Sequence, residues 1–283
     1  MVFGVLGAAS NATGTAFQRE AASTLKQGGG LHFLLMLMRR PAWTIGVLGV
    51  MGAALFQALA LLNGPIALVQ PLFVLELPFA LMIVGRLLHR SIPAEGWYGV
   101  GAVVAGLGVL LASAAPHGGG AQAPLSRWIP ALVVCYGLMG AAVVVARTRC
   151  SPQLRAVALG AAAAVGNATT AALLKSATTT FSDHGIGAFL SAWQTYGFAI
   201  TGIAAVLLLE NALQAGPLAA SQPALTIGDA LVSLVLGVTV FQETVRTGWW
   251  LVPEILGLAL MCAGVLLLTR AIPAIRSADG RPA

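Results

Sequence analysis

Apolar residues run along this chain in long blocks separated by short polar or Pro- and Gly-containing gaps. A helix that crosses a bilayer needs about 20 mostly apolar residues. Nine blocks meet that length, at 2–23, 43–62, 65–86, 96–115, 128–146, 155–177, 192–213, 217–240 and 249–269. Trp43, Trp97, Trp128, Trp193, Trp249 and Trp250 all fall at the starts of these blocks. Indole rings prefer the headgroup layer, so their positions support the same division. The expected fold class is an all-α integral membrane protein with nine transmembrane helices.

The blocks repeat. Gly64 to Gly85 reads GPIALVQPLFVLELPFALMIVG, and Gly216 to Gly237 reads GPLAASQPALTIGDALVSLVLG. Gly-Pro, Gln-Pro and the closing Gly coincide, and a lone acid lies near the middle of each copy, Glu76 and Asp229. Gly4 and Asn11-Ala12-Thr13 in the first block return as Gly160 and Asn167-Ala168-Thr169 in the sixth. Spans 1–4 therefore correspond to spans 6–9, and the single span between them turns the second half over. Such an inverted repeat places solute sites near mid-membrane between the halves. The expected organisation is a first four-helix repeat at 1–115 and an outer loop with linking helix at 116–150. An inverted second repeat follows at 151–270, then a polar, disordered cytoplasmic tail at 271–283.

Counting crossings allots the basic residues to two faces. Arg19, Lys26, Arg39, Arg40, Arg86, Arg90, Arg147, Arg149, Arg155, Arg270, Arg276 and Arg281 share one face, and only Arg127, Lys175 and Arg246 fall on the other. Basic loops stay inside, so the N-terminus is expected outside and the C-terminus in the cytoplasm of a multi-pass plasma-membrane protein.

Composition agrees. Of 283 residues, 58% are hydrophobic and 8% charged, which excludes an ordinary soluble domain. The net charge of +6 arises in the short gaps and forms no long cluster, so it reads as topology and not as a nucleic-acid surface. Cys135, Cys150 and Cys262 have no CxxC spacing and no neighbouring His, so no metal or disulfide framework is expected. The chain starts without a basic n-region or cleavage site and reads as a retained helix. The Leu31–Met38 run is too short to cross and is expected to lie on the inner surface, with 185–190 as an outer counterpart. The segment from Pro116 to Pro124 reads as a flexible outer loop.

Glu76 and Asp229 are the leading candidates for chemistry. An acid at mid-bilayer costs several kcal/mol and marks a solute or proton path. Two opposed acids suit a cation or protons; the other reading is two neutral carboxyls that tie helices together. Asn11 and Asn167 stand at similar depth, as substrate contacts or as interhelical hydrogen bonds. Gln70-Pro71 and Gln222-Pro223 lie inside spans, where proline removes a backbone donor, so breaks or kinks are expected at Pro71, Pro78 and Pro223. The glutamines Gln70 and Gln222 would line the cavity beside them. Glu210 is expected either to gate the inner mouth or simply to reach water. Arg19, Glu20 and Lys175 are expected to snorkel to the interface, the alternative being that Arg19 and Lys175 lie at the two mouths of the path. Glu95, Asp183, Glu243, Glu254, His32, His89, His117 and His184 are expected to be peripheral. Gly99, Gly101, Gly106 and Gly108 with Gly257 and Gly264 allow close helix packing, within the fold or across a homodimer.

The block LFQALALLNGPIALVQPLFVLELPFALMIVGRLLHR, the WYGVGAVVAGLGVLL that follows it and the FQREAAS ending span one give a resemblance over nearly the whole chain. The chain resembles the drug/metabolite transporter (EamA-like) superfamily, and within it the actinobacterial relatives of NIPA-type magnesium transporters. The resemblance implies a secondary carrier with substrate held between the repeats. It does not imply magnesium, and with nine spans the chain is one short of the common members. The function expected is alternating-access transport of a small cationic or zwitterionic solute, with possible proton coupling. The alternatives are a NIPA-like Mg²⁺ or other divalent-cation pathway, or a non-transporting scaffold. No HExxH, GxSxG or nucleotide-binding motif is present, so no enzyme, cofactor or ATP coupling is expected. The expected partners are the lipid bilayer and a small-molecule or ion substrate.

Overall fold

The computed structural model describes residues 1–23, 41–87, 92–120, 122–148, 151–216 and 218–277. The run Leu31–Met38, His32, His89, Cys150 and residues 278–283 lie outside them, as do the side chains of Arg19 and Glu20. The described chain is almost wholly helical. Its helices are α1 (Val2–Ser23), α2 (Pro41–Leu62), α3 (Ile66–Leu72), α4 (Glu76–Leu87), α5 (Ala94–Ala114) and α6 (Leu125–Arg147). They continue with α7 (Pro152–Ser191), α8 (Trp193–Ala215), α9 (Leu218–Thr239) and α10 (Leu251–Ser277). Two short strands, β1 (His117–Gly118) and β2 (Glu243–Thr244), pair antiparallel.

Among the described residues, eight of these segments are long and apolar enough to cross a membrane, the run from α3 into α4 counting as one. Their outward faces carry large apolar side chains such as Leu48, Val133, Ile200 and Ile255, as lipid contact requires. This is a multi-pass membrane protein. The 22-residue α1 is more polar and is not among the eight. Its hydroxyls are satisfied locally: Thr13 donates to Ala9 O at 2.8 Å, and Ser10 crosses to Gly49 O on α2 at 2.7 Å.

Helix pairing follows small residues. The helix α1 packs most closely along α2, α7 along α8 and α5 along α10. The last pair shows why. A Cβ on Gly106 would stand 2.6 Å from the Gly257 carbonyl oxygen, and one on Gly264 2.8 Å from that of Gly99. Only glycine permits this approach, because van der Waals packing is what drives helix association in lipid. Gly101 and Gly108 face open space on the other side of α5. Across the bundle α3 packs on α9, and the main core joins Leu61, Ile66, Val69, Trp128, Leu173, Val240 and Phe241.

Several expectations need correcting. Trp128 is not at a headgroup surface: it is fully buried, edge-on to Trp193 at 5.6 Å and to Phe241 at 5.8 Å. Of the break or kink expected at Pro223, the break is absent, since α9 runs unbroken from Leu218 to Thr239. Pro223 lies within two turns of the helix start, so the carbonyl it releases, Ala219 O, is close to the helix end. The helix α7 runs past residue 177 and turns only at Gly185 (φ 77°, ψ −174°), a conformation open to glycine. The loop from 116 to 124 is not free: it forms β1, and Gly120 N donates to Phe241 O at 2.6 Å. The tail expected from residue 271 is helical as far as Ser277.

Candidate functional site

The third predicted span is built in three pieces. The helix α3 carries Pro71, a 3₁₀ turn occupies Phe73–Leu75, and α4 starts at Glu76 with Pro78 in its first turn. Proline nitrogens at 71 and 78 release the carbonyls of Ala67 and Val74 one after the other. The segment between them therefore tightens and re-starts. This puts Glu76 at the start of α4, with its backbone N–H bonded back to Phe73 O across the 3₁₀ turn.

Asn11 on α1 meets it: Asn11 Nδ2 donates to Glu76 Oε2 at 2.8 Å. Both side chains are half-buried. A second polar pair joins α2 to α3, with Gln57 Nε2 donating to Gln70 Oε1 at 3.2 Å. Gln70 is itself buried. The amide of Asn11 has donor and acceptor at one end, so a solute exchanging for this bond would meet carboxylate and amide oxygens together.

The second half is arranged differently. Gly228 on α9 rests against Ala164 of α7, one turn from Asn167. Asp229 and Asn167 are half-buried, but no hydrogen bond joins them among the described residues. Ser233 Oγ stands 3.5 Å from Asp229 Oδ1, a long contact one turn along the same helix. Ser221 Oγ is buried without a partner among the described residues, beside half-buried Gln222. Glu210 is exposed on α8, and the adjacent Asn211 bonds to Leu207 O of its own helix at 2.6 Å.

One buried ionic group was not expected from the chain. Lys175 Nζ on α7 donates to Glu243 Oε1 at 2.7 Å, with side-chain exposures of 7% and 0%. The Glu243 carboxylate also accepts from Ile66 N at 2.6 Å and Ala67 N at 3.1 Å. It thus caps the first turn of α3, just after Gly64-Pro65. Lys175 Nζ lies 4.6 Å from the centre of the Phe241 ring. Gly237 leaves room for the carboxylate, and a Cβ on Gly119 would stand 2.7 Å from Glu243 Cγ. Above the group, Gln122 Nε2 donates to Ser176 O at 3.0 Å and Thr180 Oγ1 at 2.8 Å. The ion pair is therefore roofed by the loop after α5 and by the turn after α9.

Lys175 does not snorkel, and Glu243 is not peripheral. Glu254 on α10 is also buried, with Oε1 unpaired among the described residues, whereas Glu95, Asp183, His117 and His184 are exposed. A signal for Lys175 did exist. It is one of three cations on the poorly charged face, where a neutralising acid removes the conflict with charge bias. Glu243 is the acid that follows the repeat containing Asp229.

No family model matches the chain, and no solved structure matches it. An uncharacterized protein of Corynebacterium glutamicum is 27% identical over 273 residues, covering 95% of this chain and 94% of its own length.

Proposed function

We propose that the protein is a secondary transporter that moves a small cationic or zwitterionic solute by alternating access. The observation that carries this reading is the Asn11–Glu76 pair, set where the third span breaks and restarts. Acids and interrupted helices inside membranes line solute and ion paths, because only there are the charge and the unpaired carbonyls tolerated.

Two inverted four-helix halves, spans 1–4 and 6–9, are the machinery in this reading. The pairing of α1 with α2 and of α7 with α8 supports it, as does the packing of α5 on α10 and α3 on α9, each joining repeat-equivalent spans. Glu76 and Asp229 bind the cationic group or a coupling proton, and Asn11, Asn167, Gln70 and Gln222 orient the solute. The Lys175–Glu243 group closes the outer end, since it ties α7 and the turn after α9 to the start of α3 in the other half. The N-terminus lies outside and the C-terminus in the cytoplasm of the plasma membrane. The drug/metabolite transporter resemblance agrees with this architecture.

A divalent-cation pathway has less support. Mg²⁺ wants several oxygen ligands, and among the described residues no three His, Cys, Asp or Glu side chains gather to hold a metal ion. The test is uptake into proteoliposomes across amines, amino acids, monovalent and divalent cations, with an internal pH dye. Solute-dependent uptake lost in Asp229→Asn and Glu76→Gln is the expected result. A well-folded protein silent across the panel, or uptake unchanged in both variants, overturns the proposal.

A further inference from the structure

At the opposite end of the bundle from Lys175, the ends of α6, α7 and α8 line an open cleft of about 470 Å³. Val143, Ala146, Leu159 and Leu208 make its apolar wall, and Arg147, Arg155 and Asn211 make its polar side. Only a short link separates the last residue of α6 from the cap of α7 at Ser151, so both arginines stand at one membrane face. Neither has a carboxylate partner among the described residues; the nearby Glu210 is exposed and does not line the cleft.

We infer that this cleft is a binding site for an anionic phospholipid. Two guanidinium groups without a carboxylate partner among the described residues, at the level of the headgroups, suit one phosphate, which arginine holds by paired N–H donors. The apolar wall beneath them takes the start of an acyl chain, and its size lies within the range of ligand pockets. Basic pockets between membrane helices recognise acidic headgroups in this way. The site is separate from Glu76 and Asp229 and does not depend on the transport reading.

The test is native mass spectrometry of delipidated protein in detergent, titrated with phosphatidylglycerol, with phosphatidylcholine and with inorganic phosphate as competitor. One phosphatidylglycerol should bind in preference to phosphatidylcholine, and the Arg147→Gln/Arg155→Gln double variant should weaken it roughly 30-fold. Val143→Phe, which fills the wall and keeps both arginines, should also weaken it. Equal binding of the two lipids, or unchanged binding in the double variant, overturns the inference. Displacement by phosphate at concentrations matching the lipid overturns it too, leaving a small-anion site. Both arginines are exposed, and unchanged thermal unfolding of the double variant checks that it is folded.

Discussion

Lys175 and Glu243 stand 2.7 Å apart with both side chains buried, and the carboxylate also caps the first turn of α3. Desolvating two charges costs several kcal/mol each, so such a pair persists only if both partners and the extra hydrogen bonds are present. Removing one partner leaves the other charge buried. Glu243→Ala or Lys175→Ala should therefore destabilise the protein by about 3–5 kcal/mol, read from unfolding in detergent. The Lys175→Met/Glu243→Gln double variant should recover much of the loss, because the glutamine amide oxygen still accepts from the α3 backbone. Equal loss in the double variant would assign the effect to packing alone.

The hydrogen bond from Asn11 to Glu76 makes a separate prediction. Asn11→Ala removes the amide oxygen that a cationic solute would meet beside Glu76, and losing a hydrogen bond to a charged group costs about 1.5–3 kcal/mol, so apparent solute affinity should fall by roughly tenfold or more. Asn167→Ala should have a smaller effect, since Asn167 makes no such bond among the described residues. Concentration-dependent uptake compares the two, and equal effects would mean the halves contribute alike.

Two glycines on one helix should behave oppositely. Gly106 lies against the Gly257 carbonyl, whereas Gly101 faces open space. Gly106→Val must push α5 from α10, and overpacking of this kind costs about 1–3 kcal/mol or more. Gly101→Val should leave stability within about 0.5 kcal/mol. If Gly101→Val instead disrupts an oligomer seen by size, that face is a contact between copies.

Proline positions can be tested by the same uptake assay. Pro223→Ala should change little because α9 is already continuous. Pro78→Ala restores a donor beside the 3₁₀ turn and should favour a straight third span, moving Glu76 and lowering uptake.

Orientation is open to labelling. Cysteines placed at exposed Thr148 and Thr247, in a background lacking native cysteines, should react from opposite sides of the membrane. The expected result is an impermeant reagent on whole cells that labels position 247 alone; labelling of 148 alone would invert the proposed topology.

Span positions were legible in the chain because lipid imposes one demand everywhere. Each crossing must be helical and about 20 apolar residues long. The expected block 43–62 and the observed Pro41–Leu62 differ only at the start, and 96–115 and Ala94–Ala114 by a residue or two. The paired acids and the proline-rich third span were also visible, since charge and proline stand out against an apolar background. Which glycines of α5 face α10 was not legible: Gly99, Gly101, Gly106 and Gly108 look alike along the chain, and only the helix's rotation selects two of them.

Trp128 shows the same limit, because its place at the start of a span suits a headgroup anchor, yet Trp193 and Phe241 arrive from distant segments to enclose it. Membrane class, the positions of the apolar spans and the recurrence of polar positions all follow from local composition, and the amino-acid order was enough to set them. Packing in three dimensions was needed to join Asn11 to Glu76 while leaving Asn167 and Asp229 unjoined, and to bury Lys175 with Glu243. Those choices depend on residues 65 and 68 positions apart meeting at one depth and angle, which no periodicity within a single helix encodes.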